Sequence, residues 1–190
     1  MRNLFEETIK RFLTDHITPE VIADAEGGKW LAGLWADLHS LGFAEAPAPE
    51  SAGGLGANWG DLYPVVRACG YHNLPLPLPD TMLANWFLGL AGQDAVSGPV
   101  SVAADGVLTL TDGRVDGCLR NVPWGRHLDH VLAIAQEANG DTRLVLMRAA
   151  DATALHRKMN VAREPRDDLT FAGALPVVSA PIGAGDQPRL

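Results

Sequence analysis

The sequence predicts an α+β protein, with an N-terminal antiparallel helical domain over residues 1–95 and a small antiparallel β-barrel or sandwich domain over residues 96–190. Three observations predict it. Apolar residues recur at intervals of three and four as far as Leu90, the period changes to two from Ser97, and 190 residues leave room for one domain or two small ones.

Leu4, Phe5, Ile9, Phe12 and Leu13 form the first helical stripe. Thr18-Pro19-Glu20 then stops that helix and starts another, with proline in a first-turn position. Trp30, Leu31, Leu34, Trp35, Leu38 and Leu41 make a broader stripe that ends at Gly42, where a left-handed C-cap residue belongs. A glycine-rich turn follows, and Leu62, Val65, Val66 and Cys69 resume the helical spacing in a helix begun at Asn58, with Pro64 predicted to kink it. Leu74-Pro75-Leu76-Pro77-Leu78-Pro79 reads as extended, because each proline biases its predecessor away from helix. Asp80 is expected to cap a last helix carrying Met82, Leu83, Trp86, Phe87 and Leu90, frayed by Gly89 and Gly92.

In the second half, Val100 and Val102 are expected to pair with Val107, Thr109 and Thr111 in a hairpin about Asp105-Gly106. Residues 131–135 read as a buried strand, Asn139-Gly140-Asp141 as a tight turn, and residues 144–147 as its antiparallel partner. Asp112-Gly113 and Asp116-Gly117 mark further turns. Residues 169–178 offer two short strands before Pro181 and a linker-like Gly183-Ala184-Gly185 tail.

Composition narrows the function classes. Hydrophobic residues at 47% and charged residues at 20% describe an ordinary globular protein, and a net charge of -8 argues against nucleic acid or an anionic membrane as partner. Cys69 and Cys118 are far apart and lack any Cys-x-x-Cys spacing, so they read as small buried residues in a reducing compartment. The N-terminus lacks the apolar core of a signal peptide and no apolar run is long enough for a bilayer, so a cytoplasmic location is expected.

Gly54-x-Gly56-x-x-x-Gly60 is one residue too long for a dinucleotide fingerprint, and Pro47, Pro49 and Glu50 stand where a hydrophobic strand is required. It reads as a turn whose glycines take positive φ or permit a close approach. His127-Leu128-Asp129-His130 gathers two imidazoles and a carboxylate, but on a turn entering a strand residues three apart do not converge, so no metal is expected. The acidic pairs Asp24/Glu26 and Glu6/Glu7 read as solvated faces, and Glu164, Arg166, Asp167 and Asp168 as a mixed-charge loop of little energetic weight. No serine, histidine and aspartate have a nucleophile-elbow context. Trp30, Trp35, Trp59 and Trp86 fit core spacing. Trp124 lies on a loop before a strand, where it either walls a planar ligand or packs at a domain interface.

The run Pro49-Glu50-Ser51-Ala52-Gly53-Gly54-Leu55-Gly56 resembles the Pro-Glu-x-x-Gly-Gly-x-Gly turn near the amino end of acyl-CoA dehydrogenases. The helix ending Leu41-Gly42-Phe43, the strand entry over residues 117–132 and the closing segments Leu169-Thr170-Phe171 and Pro176-Val177-Val178 resemble further pieces of that family, so the likeness runs over essentially the whole chain. The resemblance implies a flavoprotein that removes the α and β hydrogens of an acyl-CoA thioester: a carboxylate takes the α-proton, and the β-hydrogen leaves as hydride to flavin. In most members the base is a glutamate of a C-terminal helical bundle, and this chain is expected to stop at Leu190, where that bundle would begin. No catalytic residue is therefore expected within it.

Two departures lie inside the part that is present. The family's Tyr-x-x-Thr-Glu flavin loop has no counterpart, and its Trp-Ile-Thr-Asn segment is Asn121-Val122-Pro123-Trp124 here. The resemblance leaves Val122, Pro123 and Trp124 as candidate cofactor-binding residues for FAD, through backbone groups, at a weak or shared site. It places an acyl chain against Leu76, Pro79 and Leu83, although Leu83 also suits the core. Such reduced segments resemble divergent, unequal-subunit complexes acting on bulky acyl-CoA substrates such as sterol side chains. The expected role is part of a FAD-dependent acyl-CoA dehydrogenase in a homo- or hetero-oligomer, with base and main flavin contacts from another chain or region. The alternatives are a non-catalytic partner subunit and an inactive fragment.

Overall fold

The computed structural model describes residues 1–182, so the linker expected at Gly183-Ala184-Gly185 lies outside the described residues. Two compact units appear: Met1–Gly89 with Asp94–Ser97, and Leu90–Gln93 with the residues from Gly98 on.

The first unit holds α1 (Arg2–His16), α2 (Pro19–Glu26), α3 (Ala32–His39), α4 (Trp59–Tyr71) and α5 (Leu78–Leu90). Thr18 caps α2 by accepting the Val21 N–H, and Pro19 occupies the first turn, where a missing N–H costs nothing. Phe5, Ile9 and Leu13 form the buried face of α1 and share a core with Trp35, Leu38, Phe43, Leu62 and Val65. Phe5 meets Phe43 edge-on at 5.5 Å. Asn58 caps α4 by accepting the Asp61 N–H at 3.0 Å, and Pro64 sits inside that helix, so the carbonyl it fails to serve is that of exposed Gly60.

One boundary differs from expectation. The last helix starts at Leu78, not at a cap on Asp80, and the Thr81 N–H already bonds the Pro77 carbonyl at 2.9 Å. Pro79 lies in the first turn, where its lack of an N–H is no obstacle, so the proline run ends two residues earlier than its composition implies.

Asn85, fully buried on α5, fastens the unit together. Its amide donates to the carbonyls of Ala44 (3.0 Å) and Val96 (3.2 Å), and its oxygen accepts the Val96 N–H (2.9 Å). Asn85→Ala strands those backbone groups in a buried site, and the expected loss is about 2–3 kcal/mol of stability, read as a fall in the urea midpoint with unchanged slope.

The second unit is an eight-stranded, mostly antiparallel sheet of β1 (Val100–Val102), β2 (Asp105–Thr111), β3 (Arg114–Pro123), β4 (His130–Glu137), β5 (Thr142–Arg148), β6 (Ala154–His156), β7 (Arg166–Ala174) and β8 (Val178–Pro181). The order is β6-β7-β3-β2-β4-β5-β8, with β1 also on β4. The expected β4–β5 hairpin forms about residues 139–141, pairing Val131 with Met147 and Ala133 with Val145.

The hairpin expected about Asp105-Gly106 does not form. β1 and β2 both run parallel to β4, with Val100 opposite His130 and Leu108 opposite Ala135. The true hairpin joins β2 to β3 across Asp112-Gly113, whose φ angles of 50° and 75° give the double left-handed turn that suits twisted strands. Asp116-Gly117 is not a turn either. It lies within β3 at a register shift against β7, and a Cβ on Gly117 would sit 2.1 Å from the Val107 carbonyl oxygen.

No helix among the described residues is long and apolar enough to cross a membrane. Cys69 is buried, which pushes its thiol up to about 12, so it is an inert packing residue at neutral pH.

Candidate functional site

The segment after Leu119 is shaped by two non-glycine residues in the left-handed region, Asn121 at φ 51° and Trp124 at φ 60°. Such residues cost energy unless their surroundings fix them, and here they do. The Asn121 N–H donates to Asp168 Oδ1 (2.9 Å), its Nδ2 to Asp105 Oδ2 (2.9 Å), and its Oδ1 accepts from Lys158 Nζ (2.7 Å). Lys158 Nζ is also 2.7 Å from Asp168 Oδ1, and that hydrogen bond, with the one from the Asn121 N–H, holds the Asp168 carboxyl below the usual carboxylate range. The Trp124 N–H donates to the Pro165 carbonyl (3.0 Å), while its own carbonyl accepts the His127 N–H (2.7 Å).

Beneath this segment is Asp167, fully buried at the start of β7. Its carboxylate accepts from Arg126 Nη2 (2.6 Å) and Nε (3.0 Å), from the Arg126 N–H (2.7 Å) and from the Lys158 N–H (3.0 Å). Burial pushes this carboxyl up, but the Arg126 fork and two backbone donors outweigh it and leave it below the usual range. Gly125 is required for that approach, since a Cβ there would lie 2.9 Å from Asp167 Cβ. The mixed-charge loop expected over residues 164–168 is therefore corrected: Asp167 is a buried anion with a fixed partner, and only its neighbours face water.

Val122 and Trp124 belong to the core of the β unit, Trp124 being 7% exposed, and Pro123 between them is half-buried. Pro123 has no N–H, Trp124 has given its own to Pro165, and every polar group on the Asn121 side chain is engaged. The Asn121 side chain and the backbone N–H of Trp124 are thus already engaged within the β unit. In the helical unit, Leu76 is 2% exposed and part of the core, while Pro79 and Leu83, four residues apart, share one half-buried face of α5.

No group of three or more His, Cys, Asp or Glu among the described residues is placed to hold a metal ion. Burial lowers the pKa of both His127 and His130, with repulsion from Arg126 adding at His127, so both imidazoles are biased to the neutral form.

The family model described as acyl-CoA dehydrogenase, N-terminal domain, matches residues 2–97. No curated protein is significantly similar in sequence. Among solved structures, a variant of the Tcur3481–Tcur3483 steroid ACAD shares 23% identity at a TM-score of 0.77, covering 94% of this chain and 56% of that one. The ChsE4-ChsE5 complex from Mycobacterium tuberculosis shares 22% at 0.77, covering 94% and 57%. The butyryl-CoA dehydrogenase of Megasphaera elsdenii shares 16% at 0.69, covering 95% and 56%. The likeness is one of fold across both units, and the chain spans little more than half the length of each of these structures.

Proposed function

This chain belongs to the acyl-CoA dehydrogenase family, and from that we propose that it supplies the helical and middle β portions of a FAD-dependent acyl-CoA dehydrogenase that assembles as an oligomer. On this reading residues 1–95 are the N-terminal helical domain and residues 96–190 the middle β-domain. Pro79 and Leu83 on α5, backed by Leu76, form an apolar wall for the acyl chain of a thioester and exclude water from it. The base and the main flavin contacts come from another chain or region. Flavin, when bound there, supplies a hydride acceptor; the described residues offer it no step of their own.

The observation that carries this divided site is that the Asn121 N–H and side chain and the Trp124 backbone N–H already bond within the β unit, beside a proline that has no N–H. The same observation favours a second reading, a non-catalytic partner that steadies a complete dehydrogenase subunit. Two of the similar structures are a steroid ACAD and the ChsE4-ChsE5 complex, which supports an unequal assembly acting on a bulky, sterol-type acyl-CoA.

The test is a visible absorption spectrum of the chain alone and after co-expression with a family subunit that carries the C-terminal bundle. Flavin bands are expected only on co-expression; flavin on the isolated chain overturns the divided site. Leu83→Glu in the assembled form then separates the two readings. A fall of about tenfold or more in kcat/KM for a long or ring-bearing acyl-CoA places this chain at the substrate, and unchanged kinetics make it a non-catalytic partner.

A further inference from the structure

A cavity of about 380 Å³ opens on the helical unit between α1 and α4, lined by Lys10, Thr14, Arg67, Ala68, Tyr71 and His72. Its chemistry contrasts with a chain of net charge -8. Lys10 is engaged, its Nζ 2.5 Å from Glu6 Oε1. The Arg67 guanidinium and the Thr14 and Tyr71 hydroxyls make no hydrogen bond or ion pair among the described residues, although Arg67 acts on Glu6 at longer range. The Tyr71 residue is 81% exposed, with its ring beside that of His72 at 5.1 Å.

Three of the last four carbonyls of α4 are served by backbone N–H groups, His72 to Ala68 (3.0 Å), Leu74 to Cys69 (2.9 Å) and Asn73 to Gly70 (3.2 Å), which reduces the bare carbonyl charge at that end.

We propose that this cavity binds a nucleotide-type phosphate ester, with its phosphate on Arg67, Lys10 and Thr14 and its aromatic base on Tyr71. Guanidinium and ammonium donors give charge-assisted bonds to phosphate oxygens, and the planar fork of Arg67 matches two of them at once. Base stacking on an aromatic side chain contributes on the order of a tenfold gain in affinity, which sets such a ligand apart from free phosphate. The cavity is within the usual size range for small-molecule sites. Glu6 is the competitor for Lys10, and the incoming phosphate displaces it into water.

The lining residues lie wholly in the helical unit and are distinct from Leu76, Pro79 and Leu83 and from residues 122–124. The experiment is an amide NMR titration of the chain with ADP and, separately, with inorganic phosphate. ADP is expected to produce saturable shifts confined to α1 and α4, about tenfold tighter than phosphate. Arg67→Gln weakens both ligands by about tenfold. Tyr71→Ala removes the advantage of ADP over phosphate, and Arg120→Gln, on the exposed face of β3, matches the parent chain. Because the altered residues are exposed, amide spectra of the unliganded variants report an intact fold. Shifts that do not saturate, equal affinity for phosphate and ADP, or a titration unaltered by Arg67→Gln overturns the proposal.

Discussion

Replacing Asp167 with alanine is expected to destabilise the β unit by about 3–5 kcal/mol, the cost of leaving a buried guanidinium without its anion. The Arg126 side chain is only 12% exposed and Asp167 not at all, so water cannot take over the lost bonds without opening the sheet. Four donor groups lose a bond together, Arg126 Nε and Nη2, the Arg126 N–H and the Lys158 N–H, with Nη2 keeping its second bond to the Lys158 carbonyl (2.8 Å). Hydrogen exchange is the suitable measurement, because it reads each unit separately. Amides of β3 and β7 should lose protection while those of α1, α4 and α5 keep it. The double change Asp167→Leu with Arg126→Met should recover most of the loss, since removing both charges removes the uncompensated one. If the double variant is as unstable as Asp167→Ala, the ion pair is not the source of the effect.

The same pair predicts a pH dependence. The folded Asp167 carboxyl titrates below the ordinary aspartate value, so its contribution is fully present above the unfolded pKa of about 3.9 and is lost as pH falls through the lower folded value. Acid unfolding of the β unit should therefore shift to higher pH in Asp167→Ala, and a chain whose acid midpoint is unmoved contradicts the assignment.

How much of this was legible in the sequence depends on how local the deciding physics is. The α1–α2 break was readable at Thr18-Pro19 because cap and proline act within one turn. The choice between Asp105-Gly106 and Asp112-Gly113 as hairpin turn was not, since the two dipeptides are identical and the pairing of β1 and β2 with β4, some thirty residues away, decides it. Asp167 hid behind its own charge among other charged residues. A signal was nevertheless present: Phe171 and Leu169 point inward on β7, and the two-residue period places residue 167 on the same inner face. Pattern therefore outranked residue type at this position. Leu76 comes to the acyl wall through the family resemblance alone, and its place in the helical core depends on packing against helices distant in sequence. The bonds of Asn121 and of the Trp124 N–H depend on Asp105, Lys158, Pro165 and Asp168, four positions that no window around Trp124 contains.

Gly54→Ala should be the most damaging single methyl in the helical unit. The glycine-rich turn folds back on residues 46–48: the Gly54 N–H bonds the Pro49 carbonyl (3.0 Å), the Gly56 N–H that of Ala48 (2.8 Å), and the Ala57 N–H that of Ala46 (2.9 Å). Gly53 and Gly56 are there for their positive φ of 84° and 60°. Gly54 has a different task. A Cβ on it would lie 2.1 Å from the Ala48 carbonyl oxygen and 2.5 Å from that of Glu45, both backbone atoms that cannot swing aside as a side chain would. Relief requires moving the 44–48 segment, whose Ala44, Ala46, Pro47 and Ala48 are buried, and whose anchor to α5 is the Asn85 bond to Ala44. Gly89 on α5 is equally close to Pro49, a Cβ there falling 2.4 Å from the proline Cδ, so the strain passes to a second tight contact. The expected cost is about 3 kcal/mol or more, at the upper end for overpacking. Gly53→Ala supplies the comparison: nothing lies within 4 Å of its Cβ position, so only the left-handed backbone is penalised, at about 1 kcal/mol. Urea unfolding of the two variants checks the ranking. If Gly53→Ala proves the costlier, the turn is held by its φ angles and the close approach at Gly54 is not what the motif protects.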